Sequence, residues 1–276
     1  MDSALLLAFA VTLGAGLATG IGSTIAFFAK TTNKGFFAVS MGFSAGVMIY
    51  LSFVEILPKS AAYIGENVGE LEASGIAAGA VIAGMILMAL IDALVPSGTN
   101  PHENTEVELM GETQSPLPIQ IGRKNRSLLQ TGFFVALAIA IHNFPEGLAT
   151  FLLVLDDPQV GIALAIAVAM HNIPEGIAVS VPVYYATKSR LKAFRLSFLS
   201  GLAEPAGAVI GYLILAQFLN HFVLGIIFAM VAGVMVFLAI DTLLPTARNS
   251  ARGHLSVYGV IAGMAVMASS LILLRI

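Results

Sequence analysis

The chain has no cysteine and little charge: its 276 residues carry 13 Lys and Arg against 16 Asp and Glu, so that charged residues make up only 11%. Without cysteine there is no disulfide framework, no thiolate zinc site and no cysteine nucleophile. A water-soluble fold needs about a quarter of its residues charged to cover its surface, so the shortage excludes one. It excludes a disordered or nucleic-acid-binding chain as well. The opening MDSALLLAFAVTLGAGLATG lacks the basic start of a cleaved signal and runs apolar past its usual length, so it reads as a retained span. A Gly-x4-Gly-Lys-Ser/Thr phosphate loop is also missing, which argues against ATP hydrolysis.

What is present is hydrocarbon: 58% of the residues are apolar and mean hydropathy is +0.92. Crossing ~30 Å of lipid takes a helix of about 20 residues. Eight such stretches recur, at 4–29, 36–58, 73–95, 128–154, 159–185, 193–217, 222–246 and 255–275. Unbroken runs such as Ile76 to Val95 fit helices rather than the alternating strands of a membrane barrel. The fold class is therefore all-α, a polytopic membrane protein built as an eight-transmembrane-helix bundle, with residues 1–276 forming one transmembrane domain. Small residues four apart, Gly42/Gly46, Gly75/Gly79, Gly207/Gly211 and Gly259/Gly263, suit close helix packing.

Eleven of the 13 basic residues fall on one alternating set of loops, among them Lys30, Arg123, Lys188 and Arg248, and only Lys59 and Arg275 on the other. Basic residues accumulate in cytoplasmic loops, so both termini are expected outside the cytoplasm. The polar, proline-containing segment at 97–127, with His102 among its glutamates, is then a cytoplasmic linker.

Two polar clusters within the spans are near copies. His142-Asn143-Phe144-Pro145-Glu146-Gly147 in the fourth span returns 29 residues later as His171-Asn172-Ile173-Pro174-Glu175-Gly176 in the fifth. The two helices run antiparallel, so the clusters meet near mid-membrane, the arrangement expected of a transport site. His and Glu four apart share one helix face, and Asn, three before Glu, overlooks it. Each proline lacks an amide hydrogen and should free a carbonyl one turn back, at Ile141 and Met170. Gly147 and Gly176 keep the following turn slim.

Imidazoles, carboxylates and amide oxygens without thiolates suit a borderline divalent metal: zinc, iron, manganese or cobalt. A carboxylate near the bilayer centre is costly unless paired, protonated or bound to a cation, and no span carries Lys or Arg in its interior. One buried histidine would be ordinary packing; a duplicated set with a third acid is not. That acid is Glu204, in Ser200-Gly201-Leu202-Ala203-Glu204-Pro205-Ala206-Gly207 of the sixth span. Together Glu146, Glu175 and Glu204 could bridge two cations, whose arrival would displace protons. Three further acids sit nearer span ends. Asp92 and Asp241 are expected to serve structure at the cytoplasmic boundary, and Glu55, near the outer end of the second span, is a candidate entrance residue. His221 and His254 fall at span boundaries and are expected to be solvated.

At these residues the chain resembles the ZIP (Zrt/Irt-like) family of divalent-metal transporters. HNFPEG, HNIPEG, SGLAEP, the GFSAGVM run of the second span and the eight spans carry the resemblance across essentially the whole chain. It implies eight helices with pseudo-symmetry between the first three and last three, both termini outside, and residence in a bacterial cytoplasmic membrane. The implied activity is import of zinc (Zn2+), with leakage toward Fe2+, Mn2+, Co2+ and Cd2+. Carried over by residue, one metal site would use His142, Glu146, His171 and Glu175. The other would use Asn143, Glu146, Asn172, Glu175 and Glu204, sharing both glutamates; the histidine site resembles a zinc site and the asparagine site an iron site. Glu55 aligns with a polar entrance position. Many members have a histidine-rich cytoplasmic loop, whereas here it holds His102 alone.

The expected partners are divalent metal ions and the lipid bilayer, with homodimer formation left open and no catalytic cofactor. The competing readings are an intramembrane metal-dependent hydrolase, whose usual His-Glu-x-x-His motif is absent, and a structural or channel-like bundle in which the polar clusters serve as glue.

Overall fold

The computed structural model describes residues 3–28, 34–93, 118–251 and 253–274. Among the described residues there is no strand. Eight helices follow in series: α1 (Ser3–Phe28), α2 (Lys34–Gly65), α3 (Glu70–Ala93), α4 (Pro118–Asp156), α5 (Pro158–Thr187), α6 (Arg190–Phe218), α7 (His221–Ser250) and α8 (Leu255–Leu274). Seven are long and apolar enough to cross a bilayer. The other, α4, is the longest at 39 residues; it opens on polar Arg123, Lys124 and Arg126 and turns apolar from Leu128. Each expected span thus has its helix, with α2 running on to Gly65 and α4 beginning already at Pro118. His102 and most of the 97–127 segment lie outside the described residues, as do Lys30 and Arg275.

Short connections with chemical caps set the topology. Only Asp157 separates α4 from α5; its side chain accepts from the Val160 amide, and Pro158 opens the next helix, where a missing N–H costs nothing. Lys188, at φ 53°, closes α5, and Ser189 caps α6 through the Lys192 amide. Connections this short force α4, α5 and α6 into antiparallel neighbours.

The helices pack as two groups, α1, α4, α5 and α6 in one and α2, α3, α7 and α8 in the other, touching through α2 with α5, α8 with α5 and α4 with α7. Burial follows: 67% of the apolar stretch is inside for α5 and for α7, against 22% for α3 and 28% for α8. α3 and α8 therefore keep most of their apolar side chains on the outside of the bundle.

The contacts repeat internally. α1 lies on α5 as α6 lies on α4, and α2 lies on α8 as α7 lies on α3. α2 and α7 also share a defect, a π turn at Ser52–Ile56 in one and at Ala239–Leu243 in the other, with Pro58 and Pro245 standing two residues beyond. Within them the Leu57 amide reaches back five residues to the Ser52 carbonyl, and Leu244 reaches Ala239. These features match the expected pseudo-symmetry of the first and last three helices.

Gly42 and Gly46 on α2 interlock with Gly259 and Gly263 on α8; a Cβ on Gly46 would stand 2.1 Å from the Val260 carbonyl oxygen. Gly75 and Gly79 do not behave as expected. Nothing lies within 4 Å of a Cβ at either, because their face of α3 is not packed against a neighbour.

Candidate metal site

The two motifs sit in the middle of α4 and α5, and the helical backbone continues through both prolines. The antiparallel pairing brings them to one level. His142, Glu146, His171 and Glu175 are each between 1% and 4% exposed, and Asn143, Asn172 and Glu204 are fully buried.

Their contacts cross between the helices. His142 Nε2 hydrogen-bonds Glu175 Oε1 at 3.1 Å. His171 Nε2 lies 3.2 Å from Glu146 Oε2, close enough for an ion pair but misaligned for a hydrogen bond, and 3.8 Å from Glu175 Oε1 on its own helix. The same-face spacing of His and Glu therefore holds, but the tighter contacts run to the other copy. In this arrangement no three His, Asp or Glu side chains among the described residues converge on one point as ligands.

Glu204 joins from α6, where it accepts from Asn172 Nδ2, which also donates to the Ala15 carbonyl of α1 at 2.8 Å. Asn143 Nδ2 donates to the Ser200 carbonyl of α6 at 3.4 Å. Glycine makes this approach feasible. A Cβ on Gly147 would stand 2.1 Å from the Glu204 carbonyl oxygen, and one on Gly176 would stand 2.0 Å from that of Thr19.

Buried polar atoms are nearly always hydrogen-bonded, so exceptions need a reason. Ten side chains among the described residues hold a buried N or O atom without a hydrogen-bond partner. Seven are His142, Asn143, Glu146, His171, Asn172, Glu175 and Glu204, the whole set expected from the sequence. Their free atoms are two imidazole nitrogens, two amide oxygens and four carboxylate oxygens, all able to face a cation. No lysine or arginine among the described residues forms an ion pair with any of these carboxylates.

Glu55 lies near the end of the apolar stretch of α2, but the helix continues to Gly65, and Glu55 sits inside the π turn, only 8% exposed. His221 is not merely solvated, since its Nδ1 lies 2.6 Å from Glu66 Oε2 and its ring stacks on Tyr63. Asp92 and Asp241 are half-buried, the latter in the π turn of α7 that corresponds to the one holding Glu55.

The sequence reading missed Thr19, whose buried hydroxyl is also among the unpartnered atoms. A signal was available: Gly16-Leu17-Ala18-Thr19-Gly20-Ile21-Gly22 parallels Gly201-Leu202-Ala203-Glu204-Pro205-Ala206-Gly207.

Comparison with known proteins identifies the family. A family model described as ZIP zinc transporter matches residues 96–271. The chain is 57% identical over 274 residues to a protein of Oceanobacillus iheyensis named zinc transporter ZupT, covering 99% of this chain and all of that one. It is 54% identical to a protein of the same name from Lysinibacillus sphaericus, again covering 99% of this chain and all of the relative. A third, from Nitratidesulfovibrio vulgaris, is 53% identical over 99% of this chain and 98% of its own length. The match to the family model begins three residues beyond α3, runs into α8 and takes in all three motif-bearing helices, and the chain belongs to the ZIP zinc transporter family.

Proposed function

We propose that this chain carries zinc across the cytoplasmic membrane, into the cell, by way of the buried cluster on α4, α5 and α6. The observation that carries the reading is that every residue with ligand chemistry in the repeated motif, and Glu204 with them, keeps an unpartnered buried atom. Membrane-buried carboxylates without a basic partner are stable when a cation or protons supply the missing charge.

The ligand types suggest a division of the cluster. His142, Glu146, His171 and Glu175 offer nitrogen and carboxylate, the set zinc and cadmium favour; Asn143, Asn172 and Glu204, with the same two glutamates, offer oxygen alone, which suits harder iron, manganese and cobalt. An arriving ion would replace the His–Glu contacts with metal bonds, and deprotonated ligands would be needed to hold it. Glu55 would guide the cation inward. The excess of basic residues on one side supports a topology with both termini outside. Access would alternate as the α1/α4/α5/α6 group shifts against the α2/α3/α7/α8 group, whose shared surface around Val47, Ala163, Ala167 and Met267 is apolar.

The test is zinc flux into proteoliposomes. Wild type should accumulate zinc, and Glu146→Ala should fall to the level of empty vesicles; Glu146→Ala uptake equal to wild type would overturn the reading.

A further inference from the structure

The crossing of α1 over α6 has a local two-fold character, centred on two glycines. A Cβ on Gly16 would stand 2.6 Å from the Gly201 carbonyl oxygen, and one on Gly201 would stand 2.5 Å from that of Gly16. Three residues beyond each glycine stands a different side chain, Thr19 on α1 and Glu204 on α6. Each leans over the opposite glycine: Glu204 Cβ lies 3.4 Å from the Cβ position of Gly16, and Thr19 Oγ1 lies 2.7 Å from that of Gly201. The asparagines obey the same symmetry. Asn172 donates to the carbonyl before Gly16, Ala15, and Asn143 donates to the carbonyl before Gly201, Ser200.

Thr19 behaves unlike its neighbours. Thr12, Ser23 and Thr24 on the same helix each donate to the carbonyl one turn back. For Thr19 that carbonyl is Ala15, already held by Asn172, and its own hydroxyl is fully buried with no partner. Asn143, bonded to the residue next to Gly201, likewise has a free Oδ1. A buried hydroxyl on α1 and a buried amide oxygen on α4, each left unpartnered around the same α1–α6 crossing, point to a ligand that both would meet.

We propose that Thr19 is the neutral counterpart of Glu204, its hydroxyl supplying a further oxygen to the asparagine layer and setting how far that layer favours hard divalent cations over zinc. The inference rests on the transport reading above. With α1 contributing a hydroxyl where α6 contributes a carboxylate, the layer gains an oxygen without gaining charge, which is the change that favours manganese over zinc.

The experiment compares Mn2+ and Zn2+ binding by calorimetry on the full chain in detergent, alongside uptake into liposomes, for wild type, Thr19→Val and Thr19→Ser. Valine keeps the shape and removes the hydroxyl; serine keeps the hydroxyl. Thr19→Val should shift the Mn2+/Zn2+ affinity ratio about tenfold toward zinc, and Thr19→Ser should restore it. An unchanged ratio in Thr19→Val overturns the inference, as does a matching loss in Thr19→Ser with lowered melting temperature, which would mark a packing role. Wild type that binds neither metal would instead overturn the transport reading itself.

Discussion

Around Lys59, where α4 turns into α5, acids meet a fixed cation. The ammonium lies 3.2 Å from Asp156 Oδ2 and 3.0 Å from Asp157 Oδ2, and the Tyr63 hydroxyl donates to Asp156. Midway along the same helix pair, Glu146 and Glu175 have imidazoles for company and Glu204 an amide. The first cluster ties α2 to the α4–α5 turn and is complete within the chain. The second is deeper, holds more carboxylates, and keeps four carboxylate oxygens unpartnered. A charge with a built-in partner serves the architecture; one buried without it serves something that comes and goes.

The sharpest way to break that contrast is to neutralise the two kinds of acid in turn. Glu146→Gln or Glu175→Gln should cut zinc uptake by at least about 100-fold, since a ligand lost from a metal site is felt more strongly than the 10–100-fold cost of its supporting partners. The same variants should melt no lower than wild type in the absence of metal. Glutamine keeps the shape and an amide oxygen that can still accept from the facing imidazole, so the exchange removes a buried charge without leaving a donor unpaired. Uptake assays and thermal melts on one preparation check both halves, and a variant that unfolds easily would mean the glutamates hold the bundle together.

Next in size is the approach of α6 to α4. Gly147→Ala would drive a methyl against the Glu204 carbonyl, backbone on backbone with no side chain to move aside. Overpacking of this kind costs about 1–3 kcal/mol, and here it would also push Glu204 away from Asn172. Gly75→Ala has open space and should cost nothing, gaining up to about 1 kcal/mol from helix propensity. Thermal denaturation of both variants, with uptake measured beside it, gives the ranking.

Hydropathy made the eight spans legible because lipid demands long apolar runs, and the repeat at His142 and His171 exposed the site because its residue types are expensive in a membrane. The ends were less legible: α2 runs seven residues past its apolar stretch, to Gly65, because the polar Lys59 and Glu66 find partners beyond it. The crossed pairing of His142 with Glu175 depends on how each helix is rotated, which a spacing of four does not specify. The π turn around Glu55 arises upstream of Pro58, and composition does not separate it from ordinary helix. Thr19 escaped because a threonine in an apolar span raises no alarm; only the doubled Gly-Leu-Ala marks it.

The smallest expected effect lies at the outer cluster. Lys59→Met should lower stability by about 1 kcal/mol, in the range of partly exposed ion pairs, and leave zinc uptake measurable. Burial works to raise the Asp157 carboxyl, but the Lys59 hydrogen bond and the Val160 amide outweigh it and hold the group below the ordinary aspartate value. A carboxyl depressed in the folded state contributes stability that is present above its unfolded value, near 3.8, and is lost as pH falls through the folded one. Melting temperature should therefore fall below about pH 4 in wild type. Asp157→Asn keeps an acceptor for the Val160 amide while removing the charge, so its melting curve should respond less steeply to acid over the same interval. If the slope were unchanged, the acid sensitivity would belong to other carboxylates, and the Lys59–Asp157 contact would be a helix cap with an ion pair of no consequence beside it.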